Sequence, residues 1–302
     1  MPPPFSGVLL VIKRKRRFGD RNDGYKVRSL APMFKVSPYI MKKRSDASNY
    51  IDDHIDIEVA EKYIAERRKE GLKGLGMLHL FVAAYVRTIS QRPGINRFIG
   101  GQKIYARNCI EVNLAIKKDM KLNSMDTVIK LEFEPDVTID EVYEKFNQVI
   151  EENRVEGDAS GFDSLARIID FIPGLVKKFT VWLLNFLDYF GLLPRFLTRL
   201  SPFHGSFFIT SMGSLGIPPI YHHIYDFGNV PVFCSYGAKR TVYELNREGK
   251  VVEKKYIDYK FVTDERICDG HYFASSLKLF KSILKDPYCL TNPPEEVIAD
   301  ID

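Results

Sequence analysis

The sequence predicts an α/β fold, because strand-like and helix-like hydrophobic patterns alternate along most of the chain. Residues 110–116 and 129–133 alternate apolar and polar side chains, as strands with one buried face do. Residues 77–91 and 271–284 place apolar side chains at helical spacing. The chain has 302 residues, of which 45% are hydrophobic, so it can bury a sizeable core.

The remaining elements are predicted, in chain order, from their apolar patterns and from the prolines and glycines that end them. Residues 28–46 contain two prolines and are not expected to form one long helix. Residues 50–57 resemble a strand, and residues 58–70 resemble a charged helix that ends at a glycine. Residues 98–105 predict a hairpin that turns at Gly-Gly.

The second half of the chain contains further signals for the start of a helix and for a hairpin turn. Thr138 and Glu141 form a capping-box pattern that opens a helix with an apolar stripe reaching residue 150. Strands are expected from residue 206 onward. Residues 240–245 and 251–259 predict a hairpin joined by a short polar turn.

Composition limits the class of protein. The net charge of +5 is modest and dispersed, which argues against nucleic acid as a partner. The four cysteines show no paired spacing, as expected for reduced thiols in a cytoplasmic protein. No export signal or membrane-spanning segment is predicted.

The two ends of the chain differ from its centre. Residues 1–24 are proline-rich and then basic, and we interpret them as a flexible, solvated tail rather than a site for an anionic partner. Residues 25–290 form the predicted domain. Residues 291–302 form an acidic tail that is expected to be loose.

Residues 165–200 are unusually apolar and aromatic. Three interpretations compete for this segment: helices buried in the core or at a subunit interface, a wall of an acyl pocket, or a surface that rests on a membrane. Core or interface is the favoured interpretation, because Lys177 and Lys178 are few cations for a helix that faces lipid.

Three motifs occur in a characteristic order. Residues 92–98 read Arg-Pro-Gly-Ile-Asn-Arg-Phe, residues 205–216 form a Ser/Thr-rich stretch punctuated by glycine, and residues 265–270 read Glu-Arg-Ile-Cys-Asp-Gly. In this order they resemble the catalytic domain of the 2-oxoacid dehydrogenase acyltransferases and of chloramphenicol acetyltransferase. The resemblance covers roughly residues 28–287.

The resemblance implies a fold and a reaction. It implies a two-layer sandwich of the chloramphenicol-acetyltransferase type, with a large mixed β-sheet covered by helices. It also implies transfer of an acyl group between coenzyme A and a small-molecule acceptor, in a homotrimer whose active sites lie between subunits. No lipoyl domain is evident, so a free-standing member is expected. No metal is expected.

One residue departs from the family pattern. The family's catalytic His lies four residues before the Asp, and here that position is Glu265. The pKa of an ordinary Glu (~4.3) lies ~4 units below that of a thiol (~8.5), so transfer of the thiol proton to Glu would cost about 6 kcal/mol. Burial could remove most of this cost. Glu265 is therefore either a base in a dry pocket or a non-catalytic replacement, with altered or lost chemistry slightly favoured.

The resemblance also assigns other site residues. Thr210 lies where the family places the hydroxyl that stabilises the oxyanion, and Ser211 takes that role if the register is off by one. Both could instead be ordinary polar residues at a strand end. Asp269 is expected to be structural and to pair with an arginine, for which Arg28 is a candidate.

Two histidines could substitute for the missing base. His271 follows the motif in the first turn of the closing helix, and His223 lies in the 221–228 segment. A structural role is the plainer interpretation of each. A metal site at His222 and His223 is disfavoured, because zinc needs three or four convergent ligands.

Three functions remain open from the sequence. The first is a CoA-dependent acyltransferase, and the second is a non-catalytic trimeric scaffold or ligand-binding relative. The third and weakest is a membrane-surface protein that uses the apolar segment.

Overall fold

The computed structural model describes residues 15–117, 126–155 and 170–302. Its strands are β1 (Gly24–Lys26), β2 (Ser48–Asp56), β3 (Arg97–Gly100), β4 (Lys103–Arg107), β5 (Ile110–Lys117), β6 (Asp126–Phe133), β7 (Phe207–Ser211), β8 (Val232–Leu245) and β9 (Val251–Asp264). Its helices are α1 (Pro32–Ile40), α2 (Glu58–Lys69), α3 (Met77–Gln91), α4 (Ile139–Val155), α5 (Gly174–Tyr189), α6 (Arg195–Leu200) and α7 (Gly270–Lys285).

A six-stranded mixed sheet organises the domain, in the order β2-β9-β8-β7-β5-β6. Strand β7 runs parallel to both β5 and β8, and the other pairs are antiparallel. A second, three-stranded sheet has the order β1-β4-β3. The predicted α/β class with a large mixed sheet is confirmed.

Helices α2, α3, α4 and α7 cover one face of the large sheet and bury the main core against it. Aromatic side chains join the two layers. Tyr85 of α3 stacks on Phe207 of β7 with ring centroids 3.7 Å apart. Phe280 of α7 meets Phe261 of β9 edge to face at 5.4 Å. Such contacts fix how each helix lies on the sheet.

Loop and the short helix α6 cover the opposite face of the sheet. A small apolar cluster joins Phe208, Phe233 and Val262 of the sheet to Ile224 and Val230 of the preceding loop. Polar contacts hold α6 over β5 and β6: Arg195 pairs with Glu111 at 2.8 Å, and the Lys130 ammonium donates to the Thr198 carbonyl at 2.6 Å. The helices of the main core thus lie on one side of the sheet.

Local signals predicted two features correctly. Strands β3 and β4 form the expected hairpin, and Gly101 and Gln102 at its turn both have positive φ, +53° and +58°. Thr138 and Glu141 form the capping box: the Thr138 N–H donates to the Glu141 carboxylate at 2.7 Å, and the Glu141 N–H donates to Thr138 Oγ1 at 3.4 Å.

The segment before β1 contributes to the domain. Arg21 and Asp23 are buried and form an ion pair at 2.9 Å. Within the predicted tail of residues 1–24, the first fourteen residues lie outside the described part of the chain.

The final residues also pack along the domain. Asp300 forms a salt bridge with buried Arg97 at 2.5 Å, and the Ile298 N–H donates to the Ser90 carbonyl at 2.8 Å. These contacts hold residues 291–302 in place, where the sequence predicted a loose tail.

The apolar segment 165–200 is described from residue 170 onward. None of the residues of α5 is buried. The favoured interpretation was burial in the core or at a subunit interface; the core part is wrong for this helix, and the interface part stays a prediction. Among the described ranges, no helix combines the length and apolar character needed to cross a bilayer.

Candidate functional site

The loop between β9 and α7 is held by a buried ion pair. The Arg266 guanidinium donates to both oxygens of Asp264, at 2.7 and 2.6 Å, and both side chains are almost fully buried. Arg266 also donates to the Met41 carbonyl at 2.7 Å. A bidentate arginine–carboxylate contact is strong and also fixes the relative orientation of the two side chains. Glu265, which lies between Asp264 and Arg266, therefore projects from the loop in a defined direction.

Arg44 ties this loop to the segment before β8. Its Nε lies 3.8 Å from Asp264, and its guanidinium donates to the Tyr225 and Gly228 carbonyls at 2.9 and 2.5 Å. Burial lowers the pKa of Arg44 to about 10. Sequence reasoning missed Arg44, because its partners are some 180 to 220 residues away along the chain.

Glu265 is the residue that this loop presents outward. Its backbone N–H donates to the Ala47 carbonyl at 2.9 Å, and its side chain is exposed. The carboxylate accepts a hydrogen bond from the Asn49 side-chain amide at 3.0 Å. Within one chain the Glu265 side chain is therefore exposed to solvent, whereas the sequence analysis allowed a base in a dry pocket.

Asp269 ends the loop and caps α7. Its carboxylate accepts the Tyr272 N–H at 2.7 Å, which satisfies one of the unpaired donors of the first helical turn. The Tyr272 hydroxyl in turn accepts the Gly94 N–H at 2.9 Å, so the capped helix touches the Pro-Gly-Ile-Asn turn. Arg28, the expected partner of Asp269, instead pairs with Asp20 at 3.0 Å.

Thr210 and Ser211 lie at the end of β7 and point to opposite faces of the sheet. Ile209 belongs to the core beneath the helices, so Thr210 lies on the other face, where it is buried. Ser211 points to the same helix-covered face as Ile209, where it hydrogen-bonds the hydroxyl of Tyr236. Burial raises the pKa of Tyr236 to about 12. Only Thr210 can therefore serve a pocket on the loop-covered face.

Glu265 and Thr210 lie at opposite ends of the sheet. Thr210 pairs with Ser235, and Ser235 pairs with Lys260, which is five residues before Glu265. At about 3.3 Å per residue the two side chains are separated by roughly 16 Å along the strands, and they are two strands apart. One chain cannot bring them to a common carbonyl group.

A cleft of about 480 Å³ opens at Lys260, which lies in line with Ser235 and Thr210 across the sheet. Its lining includes three aspartates (Asp52, Asp53 and Asp258) and one lysine, Lys260. An acidic lining disfavours the phosphates of coenzyme A. Within the described chain this cleft is therefore a poor candidate for the CoA site.

Solved structures with the same architecture were found by structural comparison. A probable dihydrolipoamide acetyltransferase from Listeria monocytogenes has a TM-score of 0.53 at 14% identity, over 85% of this chain and 94% of that chain. Dihydrolipoamide acetyltransferase from Azotobacter vinelandii has a TM-score of 0.53 at 11% identity, over 96% and 99% of the two chains. A truncated 2-oxoacid dehydrogenase catalytic core from Thermoplasma acidophilum reaches 0.50 at 12% identity, over 87% and 99%.

The chain has the dihydrolipoamide acetyltransferase fold.

The resemblance inferred from three motifs is thus confirmed for the acetyltransferase fold. No family model matches the sequence, and no curated protein matches it either. For the Azotobacter acetyltransferase, a serine, a histidine and an asparagine four positions after that histidine have been examined for their catalytic roles.

The histidines considered as substitutes for the base lie in the first turn of α7 and in the loop before β8. His271 is exposed in the first turn of α7. His222 and His223 lie in the loop before β8, where their rings stack at 4.5 Å and His222 also stacks on Phe233 at 4.3 Å. Burial lowers the pKa of His222. Across the described ranges, no group of three His, Cys, Asp or Glu side chains converges on a point where a metal could bind.

The cysteines of the described chain are free thiols. Burial raises the pKa of Cys268, inside the motif, to about 12 and raises that of Cys234 well above its usual value. Because the thiolate is the nucleophilic form, these two cysteines are unsuited to accept an acyl group.

Proposed function

We propose that this protein transfers an acyl group between coenzyme A and a small acceptor, in an oligomer where Glu265 of one subunit meets Thr210 of another. The observation that carries the proposal is the loop from Asp264 to Gly270. Its buried ion pair and its helix cap leave residue 265 as the side chain projecting outward, on a fold shared with acetyltransferases.

The chemistry would proceed by general base catalysis. Glu265 accepts the proton of the acceptor's thiol or hydroxyl as that atom attacks the thioester carbonyl. The Thr210 hydroxyl donates a hydrogen bond to the oxyanion of the tetrahedral intermediate. The intermediate collapses, the carbon–sulfur bond breaks, and the departing CoA thiolate takes the proton back from Glu265.

This reaction requires that assembly cover Glu265. An ordinary carboxylate accepts a thiol proton uphill by ~4 pKa units, and removal from water offsets most of that difference. A neighbouring subunit that packs over the end of β9 would supply the dry environment. The proposed oligomer is a homotrimer, as the family resemblance implies.

A second candidate function is a non-catalytic relative that binds a ligand or assembles with other proteins. The observation that favours it is the exposure of Glu265 and its hydrogen bond to Asn49. If Glu265 stays exposed to water after assembly, the protein would form its oligomer but would not catalyse acyl transfer.

Release of free thiol from acetyl-CoA and from longer acyl-CoA substrates tests the proposal, with candidate thiol and alcohol acceptors present. We expect turnover by the native oligomer and its loss in Glu265→Gln, while Glu248→Gln on the exposed β8–β9 turn retains it. Oligomer size is measured in parallel. An intact oligomer with no thiol release for any donor would reject the enzyme and support the second candidate.

A further inference from the structure

Helix α5 turns its apolar side outward. Its less exposed residues recur at Lys177, Thr180, Leu184 and Asp188, which is the spacing of one helical face. The opposite side and the cap that follows it carry five exposed aromatic residues, which we call the aromatic arc: Phe179, Trp182, Phe186, Tyr189 and Phe190. A helix of a globular domain normally buries its apolar side, whereas no described part of this chain buries the arc.

Buried ion pairs at the end of α5 fix this orientation. Asp188 contacts buried Arg21 at 2.6 Å and buried His204 at 3.6 Å. Burial alone would raise the pKa of Asp188, but His204 and Arg21 together hold it well below its usual range. Rolling the helix to bury the aromatic arc would break these contacts and leave buried charges unpaired, which is strongly unfavourable.

The area of the aromatic arc matches that of a subunit contact. Each of its five residues is between 46% and 59% exposed. Because an aromatic side chain buries ~150–250 Å² in a core, the five together expose roughly 400–650 Å². The largest apolar patch on a typical monomer is ~300–600 Å². Each partner in a stable protein–protein interface contributes ~800 Å², so the arc alone supplies about half of that area or more.

The border of the aromatic arc carries little free charge. Three of the bases beside it are paired with acids: Lys177 with Asp170 at 2.9 Å, Arg195 with Glu111 at 2.8 Å and Arg199 with Glu132 at 3.7 Å. An apolar, aromatic surface that is depleted of free charge has the composition of the core of a protein–protein interface.

A second helix also exposes an apolar side. In α1, Met33, Val36 and Ile40 follow helical spacing and are 73%, 47% and 69% exposed. We call these three residues the α1 stripe. The stripe and the aromatic arc are both apolar and both helical, so one can pack on the other as two helices of a core do.

The turn between β3 and β4 holds the ends of α1 and α5 near each other. The Gln102 side-chain amide donates to the Pro38 carbonyl of α1 at 3.4 Å, and the Gln102 side-chain carbonyl accepts the Tyr189 hydroxyl of α5 at 3.0 Å. One subunit therefore carries the α1 stripe and the aromatic arc on neighbouring elements.

The end of α1 adjoins the loop that carries Glu265. Met41 is the C-cap of α1, and its carbonyl accepts a hydrogen bond from Arg266 at 2.7 Å. A chain that packs along the α1 stripe therefore comes close to the loop at which the proposed reaction requires a neighbouring subunit.

We propose that the aromatic arc of one subunit packs on the α1 stripe of a second copy of this chain. The inference rests on the proposed function for one step, the need of Glu265 for a neighbouring subunit that excludes water. Because the contact joins two different surfaces, it repeats from subunit to subunit around a ring, as in the proposed homotrimer.

Sedimentation velocity of the native protein and of single variants tests the contact. Phe186→Glu and Ile40→Glu each place a charge in the contact and should weaken association by roughly tenfold to a hundredfold, as expected for loss of one buried apolar side chain. Both residues are exposed in the single chain, so each variant should keep the native circular dichroism. Leu245→Glu, at a residue 71% exposed on the β8–β9 hairpin, is the control and should keep the native mass.

A charge exchange identifies the two surfaces as partners. Combining Phe186→Glu with Ile40→Lys in one chain places an acid in each aromatic arc and a base in each α1 stripe. Association of this double variant should recover at least fivefold or so over Phe186→Glu alone, because opposite charges then face each other. Trp182 is the only tryptophan of the chain and lies in the arc, so its emission should shift to the blue as the native protein associates.

Three results would overturn the proposal. The first is a native mass in Phe186→Glu. The second is a native mass in Ile40→Glu with dissociation of Phe186→Glu, which would show that two arcs pack on each other instead. The third is a native protein that stays monomeric and whose Trp182 emission shifts only when vesicles of phosphatidylcholine and phosphatidylglycerol are added, which would identify lipid as the occupant.

This contact and the proposed function fail in different ways. An oligomer that dissociates in both glutamate variants but releases no thiol from acyl-CoA supports the contact and rejects the enzyme. Thiol release by a protein whose Phe186→Glu variant keeps the native mass overturns the contact alone.

Discussion

The carboxylate of Glu265 accepts a hydrogen bond from the Asn49 amide at 3.0 Å, on the rim where β2 begins and β9 ends. The loop around Glu265 is held at both ends: Asp264 and Arg266 form a buried ion pair, and Asp269 caps the helix that follows. Glu265 is therefore an exposed carboxylate on a loop of fixed geometry. This arrangement allows the proposed base position to be tested by replacement of residue 265.

Restoring the imidazole should increase acyl transfer. In Glu265→His the base would titrate near pH 6.5, and general base catalysis by a positioned group contributes about 10²- to 10⁴-fold. We expect thiol release from acyl-CoA to rise at least tenfold or so over the native protein. The pH–rate profile of the variant should show an apparent pKa close to that of histidine.

The matched control is Glu248→His, which adds an imidazole on the exposed turn between β8 and β9. It should leave the rate unchanged. If Glu265→His folds, keeps the native oligomer and gains no activity, residue 265 does not lie at a catalytic position.

Mixed oligomers test whether the site spans two subunits. Glu265 and Thr210 lie at opposite ends of one sheet, so a working site needs Glu265 from one chain and Thr210 from another. Glu265→Gln and Thr210→Val should each be inactive alone. After dissociation and reassembly in equal amounts, about a quarter of the interfaces combine two native residues, so about a quarter of native activity should return.

Thiol release and subunit exchange are measured on the same samples. A mixture in which exchange is complete and activity stays absent contradicts a shared site. Activity in both single variants would instead show that neither side chain takes part in the chemistry.

Much of the fold could be predicted because its signals are local. The alternation in β5 and β6, the Gly-Gly hairpin turn and the Thr138–Glu141 capping box each depend on residues within a few positions of one another. Periodicity reports which side of an element is buried, and that is enough to assign helices and strands.

The features that sequence reasoning missed depend on partners far along the chain. Arg44 reaches Asp264 and the loop before β8, and no short motif encodes that contact. The orientation of α5 depends on Arg21 pairing with Asp188 across 167 residues. Composition identified the apolar segment that contains α5 but not which side of the helix faces the domain, because that depends on a buried ion pair with a residue far along the chain.

Removing one partner of the loop's ion pair should destabilise the whole domain. Asp264→Asn leaves the buried Arg266 guanidinium without its charge partner, which typically costs about 3–5 kcal/mol of unfolding free energy. The matched control is Asp258→Asn, which removes a similar two-pronged contact with Arg240 at the surface. The control should cost less than about 1 kcal/mol.

Urea unfolding of the two variants and the native protein gives the comparison. Equal destabilisation by Asp264→Asn and Asp258→Asn would mean that burial of the Asp264–Arg266 pair does not determine the rigidity of the loop.

His79 should make the domain sensitive to mild acid. Burial lowers its pKa to about 4, and its Nδ1 accepts the Gly76 N–H at 3.1 Å, which requires the neutral ring. The pKa in the folded state lies below the unfolded value of 6.5, so this contribution to stability is present above about pH 6.5 and decreases as the pH falls toward 4. The expected loss from this group between about pH 7 and pH 5 is about 2 kcal/mol.

His79→Gln keeps a hydrogen-bond acceptor near Gly76 and cannot gain this charge. Urea unfolding at several pH values should therefore show a shallower dependence for this variant than for the native protein. Part of the dependence should remain, because burial also lowers the pKa of His204. His54→Gln, at a side chain 55% exposed, is the control and should retain the native slope. An identical slope in His79→Gln and the native protein would contradict the assignment, because the half-buried neutral ring at the start of α3 would then make no contribution to the pH dependence.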